Sequence, residues 1–167
     1  TLSETVYNST ANNSALEASD FVFSIAGGTA TLTSTTPSSI SISDNVYTLG
    51  ISISGSIDGN ESFVVNPVDD SIYDAAGNEA STSQSNNAVT LYDKVIPAIT
   101  SVALASDNST LAVTFSEAVD NSTSGAGALE VGDFAFSITG GTATLTSTTP
   151  SSISISGNVY TLGITLT

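Results

Sequence analysis

DFVFSIAGGTATLTSTTPSSISISDNVYTLGI, residues 20–51, returns at 133–164 as DFAFSITGGTATLTSTTPSSISISGNVYTLGI. Each position moves by 113 (133 − 20), so Gly27 corresponds to Gly140 and Tyr47 to Tyr160. The correspondence extends without a gap over residues 1–54 and 114–167, with 39 identities among the 54 pairs. A fixed period of this length marks a repeat architecture and outranks more local readings. Within the stretch the apolar residues alternate: Phe21, Phe23 and Ile25, then Ala30 and Leu32, then Ile40 and Ile42, then Tyr47, Leu49, Ile51 and Ile53. Period two predicts strands with one face on a core and the other in water.

Turn residues fall between these runs: Gly27-Gly28, Thr36-Pro37, Asp44-Asn45, Asp58-Gly59-Asn60, Gly77-Asn78 and Asn86-Asn87. No segment carries a helical stripe. Across the second copy, strands are predicted near 98–105, 110–119, 133–139, 141–147, 151–156 and 158–167, with further ones near 61–68 and 86–92 in the first. Seven or eight short antiparallel strands predict an all-β, Ig-like antiparallel β-sandwich in tandem repeats of 113 residues. The boundary falls at Tyr92-Asp93-Lys94-Val95-Ile96-Pro97, where a proline ends strand pairing. It divides the chain into 1–93, a repeat without its first strand, and 94–167, a repeat without its last strands. Two explanations are open: the residues are a window on a longer polymer, or neighbouring subunits exchange strands.

Composition excludes several classes. Sixteen acidic residues face one basic residue, Lys94, with no histidine, for a formal charge of −15. Nothing there neutralises phosphate, which argues against nucleic acid or an anionic membrane as partner. The absence of cysteine excludes a disulfide framework. No apolar run of 18 residues predicts membrane insertion, and a secretion signal is expected outside these residues.

Phe115-Ser116-Glu117-Ala118-Val119, preceded by Asp107-Asn108-Ser109-Thr110-Leu111, and Asp74-Ala75-Ala76-Gly77-Asn78 form a recognisable set. Together they resemble the bacterial Ig-like tandem repeats of large secreted surface adhesins, which join an FSE-x-V strand end to a late D-x-x-GN loop. The first copy departs by carrying Leu2 in place of the motif's Phe. The resemblance implies a non-catalytic extender or stalk of a cell-surface adhesin or extracellular filament, with neighbouring repeats of the same polypeptide as partners. Alternatives are a self-assembling filament or sheath with strand donation between like subunits, and a carbohydrate- or ice-binding module. Sugar platforms need exposed rings, whereas the six Phe and five Tyr sit mostly at inward-reading positions.

The chemistry expected of the chain is calcium binding rather than catalysis. There is no His or Cys nucleophile system, and paired carboxylates of a glycosidase need a cleft and a raised pKa. Ca²⁺ takes six to eight oxygen ligands. Sandwich topology sends Glu4, and Glu117 in the second copy, to the pole that also receives Asp69, Asp70, Asp74 and Asn78, with a linker carrying Asp93 entering there. Carboxylates from a strand end, a late loop and a linker can stiffen a joint between domains. Equally, Asp74 caps a turn, Gly77 supplies a positive φ and Asn78 closes the loop. Asp58-Gly59-Asn60-Glu61 reads as a hairpin turn on its D-G pair. Thr29, Thr31 and Thr33 suit an ice-binding face, but threonine is also an ordinary outward strand residue. N-x-S/T sequons start at Asn8, Asn12, Asn60, Asn108 and Asn121, as chance provides in a Ser/Thr/Asn-rich chain.

Overall fold

A computed structural model describes residues 1–123 and 125–167. The chain forms two compact units, Thr1–Val95 and Ile96–Thr167. The amide of Lys94 still donates to the Ile57 carbonyl at 2.8 Å, which ties the end of the first unit to its own body.

In the first unit the strands are β1 (Val6–Tyr7), β2 (Phe21–Ala26), β3 (Thr31–Leu32), β4 (Ile40–Ser43), β5 (Val46–Leu49), β6 (Ile53–Ser54), β7 (Ser62–Pro67), β8 (Tyr73–Asp74) and β9 (Ala88–Thr90). They pair antiparallel in sheets β2-β7-β9, β1-β8, β3-β6 and β4-β5. Alternation in β2 turns Phe21 and Phe23 inward and leaves Val22 and Ser24 exposed. Leu16, Phe21 and Ile72 form the core, with Val65 of β7 packed from one layer and Ile40, Tyr47 and Leu49 of the β4-β5 hairpin from another. This is an all-β sandwich.

The second unit holds β10 (Ile99–Leu104), β11 (Thr110–Phe115), β12 (Ile153–Ser156) and β13 (Val159–Gly163) in one antiparallel sheet, order β10-β11-β13-β12. Its core is Val113, Tyr160 and Leu162, flanked by Phe115, Phe134 and Phe136. Phe115 meets Tyr160 edge-on at 5.4 Å, and the Tyr160 hydroxyl donates to the Val119 carbonyl at 3.2 Å.

The second half of the repeated stretch takes the same local form in both units. The hairpins β4-β5 and β12-β13 share their register, and the first loop residue is left-handed in each, Asp44 at φ +53° and Gly157 at +55°. Ser38 donates to the Gly50 carbonyl and Gly50 to that of Ser39, both at 2.9 Å; Ser151, Gly163 and Ser152 repeat this at 3.0 and 2.9 Å. A side chain at Gly50 or Gly163 would run into the hydroxyls of those serines, which explains the S-S…G spacing. A single 3-10 turn precedes the stretch in each unit, Ala18–Asp20 and Val131–Asp133. The Asp20 carboxylate accepts the Glu17 amide at 2.7 Å, and Asp133 accepts that of Glu130 at 2.8 Å.

Three sequence expectations need correction. Residues 133–139 are not a strand, although the matching β2 is: β2 owes its ladder to β7, and no described residue of the second unit pairs with 133–139 in that way. Residues 141–147 likewise keep only the isolated bridge Leu145–Leu166. Asp58-Gly59-Asn60-Glu61 is no hairpin turn, because β6 pairs with β3 and β7 with β2 and β9. The loop crosses between sheets and is anchored there by Glu61.

Candidate functional site

Two loops of the first unit gather its polar chemistry. The first follows β8. The amide of Asp74 donates to the Asn78 carbonyl at 2.9 Å, and Gly77, at φ +84°, donates to the Asp74 carbonyl at 3.1 Å. One Asp74 oxygen accepts the amides of Ala76 and Asn78, both at 2.8 Å, and the other accepts the Asn78 side-chain amide at 2.7 Å. The Asn78 side chain, then its amide, and the amides of Ala76 and Gly77 hold the Asp74 carboxyl below its ordinary range against the opposing effect of burial. The D-x-x-GN motif is therefore a closed turn in which the carboxylate organises its own loop.

Beside this turn lies a cavity of about 380 Å³, lined by Glu4, Asp74, Asn78 and Glu79 among others. Three of the seven residues expected as calcium ligands thus share one place: Glu4, Asp74 and Asn78. Asp69 and Asp70 are exposed; Asp70 is left-handed at φ +56°, and its amide donates to Glu79 at 2.7 Å. Asp93 lies instead against Gly59 and accepts the Val95 amide at 2.7 Å. Glu117 belongs to the second unit, where it is half-buried just past β11. Among the described residues no three acidic side chains stand close enough to hold an ion.

Comparison with protein-family models, curated proteins and solved structures gave no match.

The second loop holds the residue that sequence reasoning underrated. Glu61 is 0 % exposed, and its carboxylate accepts the amides of Thr29 at 3.1 Å, Ala30 at 3.0 Å and Asp58 at 3.2 Å. Burial alone would raise its pKa, but the backbone amides of Ala30, Asp58 and Thr29 outweigh it and hold the carboxyl below the ordinary range. Gly28, at φ +57°, is required for this approach: a Cβ there would collide with the Glu61 carboxylate. Gly28 of the repeated stretch is thus one half of a carboxylate lock, and Glu61 is the other. Its signal in the sequence was a lone acidic residue directly before the alternating run of β7, where a solvent-exposed charge is the usual reading.

The threonine face has a structural use. Thr29 donates to the Ser56 carbonyl at 2.7 Å, Thr31 and Ser54 share a hydroxyl bond of 3.0 Å, and Thr33 donates to the Ser52 carbonyl at 3.2 Å. These bonds stitch the β3-β6 side of the unit together. Among the aromatic rings, Phe21, Phe23, Phe63 and Tyr160 are buried, whereas Tyr92 stands 85 % exposed.

Proposed function

We propose that the chain is a non-catalytic spacer, an Ig-like tandem repeat serving as an extender of a bacterial cell-surface adhesin or extracellular filament. The observation that carries this reading is repetition at two levels. Residues 20–51 and 133–164 are nearly identical, and both fold into the same hairpin with the same serine–glycine close approach. Selection for a chemical site preserves a few convergent side chains, whereas here a long stretch of sequence recurs together with its hairpin. The polar groups support the same reading, since Asp74 and Glu61 bind their own backbone. A formal charge of −15 keeps such modules apart in solution and opposes side-by-side association.

Calcium belongs to this proposal only as an ion shared across a joint. Glu4 and Glu79 flank the Asp74 turn, and the remaining ligands would come from an adjoining repeat, such as a linker acid equivalent to Asp93. Hard oxygen ligands suit Ca²⁺, with the weak affinity usual for extracellular modules, Kd about 10⁻⁴–10⁻³ M.

Small-angle scattering on polyproteins of two, four and six whole 113-residue repeats tests the spacer reading. The maximum dimension should grow by a constant increment per repeat. Growth with the cube root of repeat number, the behaviour of a collapsed globule, would sink it.

A further inference from the structure

The two copies of the repeat differ unevenly. Of the 54 paired positions 15 differ (54 − 39), and six of those line a single cavity of about 370 Å³ in the first unit. They are Thr5, Tyr7, Asn12, Asn13, Ser14 and Asp44, where the second copy carries Ala118, Asp120, Gly125, Ala126, Gly127 and Gly157. Apart from Tyr7, which matches Asp120, each difference leaves the second copy with alanine or glycine and no hydrogen-bonding side chain. Tolerance of an exposed surface does not account for this clustering. Residues 33–36 are exposed too, yet the whole run 27–43 is identical to 140–156.

The backbone beneath these side chains is shared. The Asn8 amide donates to the Ser14 carbonyl and the Asn12 amide to that of Ser9, both at 3.2 Å; Asn121 to Gly127 and Gly125 to Ser122 repeat this at 2.9 and 3.2 Å. Asn12 and Asp44 are left-handed at φ +55° and +53°, where the second copy has glycine at +66° and +55°. Glycine adopts that region without steric cost, so the first copy keeps side chains at two places that favour having none. Side chains that vary on loops held by a constant scaffold are the usual carriers of binding.

The cavity joins an apolar wall to a few fixed polar groups. Half-buried Tyr7 and Tyr47 stand there with Leu16 and Ile42. The Asn12 side chain donates to the Ala75 carbonyl at 2.9 Å and braces the loop against the turn after β8. Asn13 Oδ1 accepts the hydroxyls of Ser9 and Ser14 at 3.1 and 3.2 Å, so its NH2 is what it offers a ligand. That make-up and volume are those of a small-molecule site. Asp44 is the one carboxylate in the lining, too few for Ca²⁺, and a formal charge of −15 repels an anion. Amides and hydroxyls outnumber it, which favours a ligand rich in hydroxyls over an organic cation. We infer that this cavity binds a neutral sugar, its C–H groups against the tyrosine rings and its hydroxyls donating to Asp44 and accepting from Asn13. Tyrosine suits such a ligand because its ring is apolar and its tip polar. The second unit presents the same scaffold without the site. This inference rests on the comparison of the copies and not on the spacer reading.

The test titrates the full chain with the methyl glycosides of glucose, galactose, mannose and N-acetylglucosamine, read by amide chemical shifts. At least one should give saturable shifts in the millimolar range at Tyr7, Asn13 and Asp44, with none at Asp120, Ala126 and Gly157. Asp44→Gly and Asn13→Ala introduce residues that the second copy already carries on the same backbone, so neither threatens the fold. Asp44→Gly should weaken binding at least about tenfold, as loss of a hydrogen bond to a charged group does. Asn13→Ala should weaken it several-fold. No saturable shift with any of the glycosides, unchanged affinity in both variants, or equal shifts at the matching residues of the second unit would each overturn the assignment.

Discussion

Glu61 and Ala30 lie 31 residues apart and are joined by a 3.0 Å hydrogen bond from the Ala30 amide to a carboxylate with no solvent exposure. Because the folded chain holds this carboxyl below its ordinary range, deprotonated Glu61 favours the folded state. The sign follows: its contribution is fully present above the unfolded glutamate pKa of about 4.3 and is lost as pH falls through the lower folded value. Thermal melts from pH 6 down to pH 2 should show this loss in the native chain. Glu61→Gln should melt lower at pH 6 and show a flatter acid limb. Parallel pH profiles for the two proteins would mean that the carboxylate does not hold the loop.

Gly28 and Gly141 form a matched pair for substitution. Alanine at Gly141 incurs only the left-handed backbone cost of about 1–2 kcal/mol. Alanine at Gly28 should cost clearly more, because its methyl also displaces the Glu61 carboxylate. Hydrogen exchange at the amides of Thr29 and Ala30 reads the difference directly. Equal losses at the two sites would remove the close approach as the reason for glycine.

Phe23 and Phe136 occupy the same place in the repeat and should differ in energy. Phe23 is 2 % exposed and packed on Phe63, so Phe23→Ala should cost about 3–5 kcal/mol in denaturant melts. Phe136 is half-buried and lacks that partner, so Phe136→Ala should cost less than about half as much. Extending the chain so that a β7 segment follows the second unit should bring the two values together.

Leu2 stands where the second unit has Phe115. Phe115 packs on both Tyr160 and Phe134, whereas Leu2 borders a cavity of about 210 Å³ shared with Phe21, Tyr47 and Leu49. Leu2→Phe should fill part of it and stabilise the first unit by about 0.5–1.5 kcal/mol, through an aromatic contact and recovered packing. A lower melting midpoint would show that the cavity cannot admit the ring.

Asp74 and Glu4 separate turn from metal. Asp74→Ala removes three hydrogen bonds to its carboxylate and should lower the melting midpoint equally in calcium and in chelator. Glu4→Gln should leave the chelated protein unchanged and remove calcium-dependent stiffening from multi-repeat polyproteins, read as maximum dimension by scattering. If Glu4→Gln polyproteins still lengthen with calcium, the ion is not held at this cavity.

Strand positions were legible where the pairing partner is close in sequence. The hairpins β4-β5 and β12-β13 need only alternation and a two-residue loop, and residues 40–49 and 153–162 carry both. The D-x-x-GN turn was legible as one of two options, because an Asp that caps its own loop and an Asp that binds an ion look alike in one dimension. The closure of Asp74 onto Asn78 is a geometry that only the folded chain displays.

What the sequence determined by itself is the period, the all-β character and the loop chemistry, since these follow from residue type and short-range sterics. Only the tertiary structure decided which alternating runs become strands and which acid is buried. Phe21-Val22-Phe23-Ser24-Ile25 is a strand because β7 lies beside it, while Phe134-Ala135-Phe136-Ser137-Ile138 has the same pattern and forms no ladder. Glu61 is a buried anchor rather than a surface charge because Gly28, 33 residues away, leaves room for its carboxylate against backbone amides. Hydrogen-bond ladders and buried charges are properties of pairs, and one member of a pair does not reveal the other.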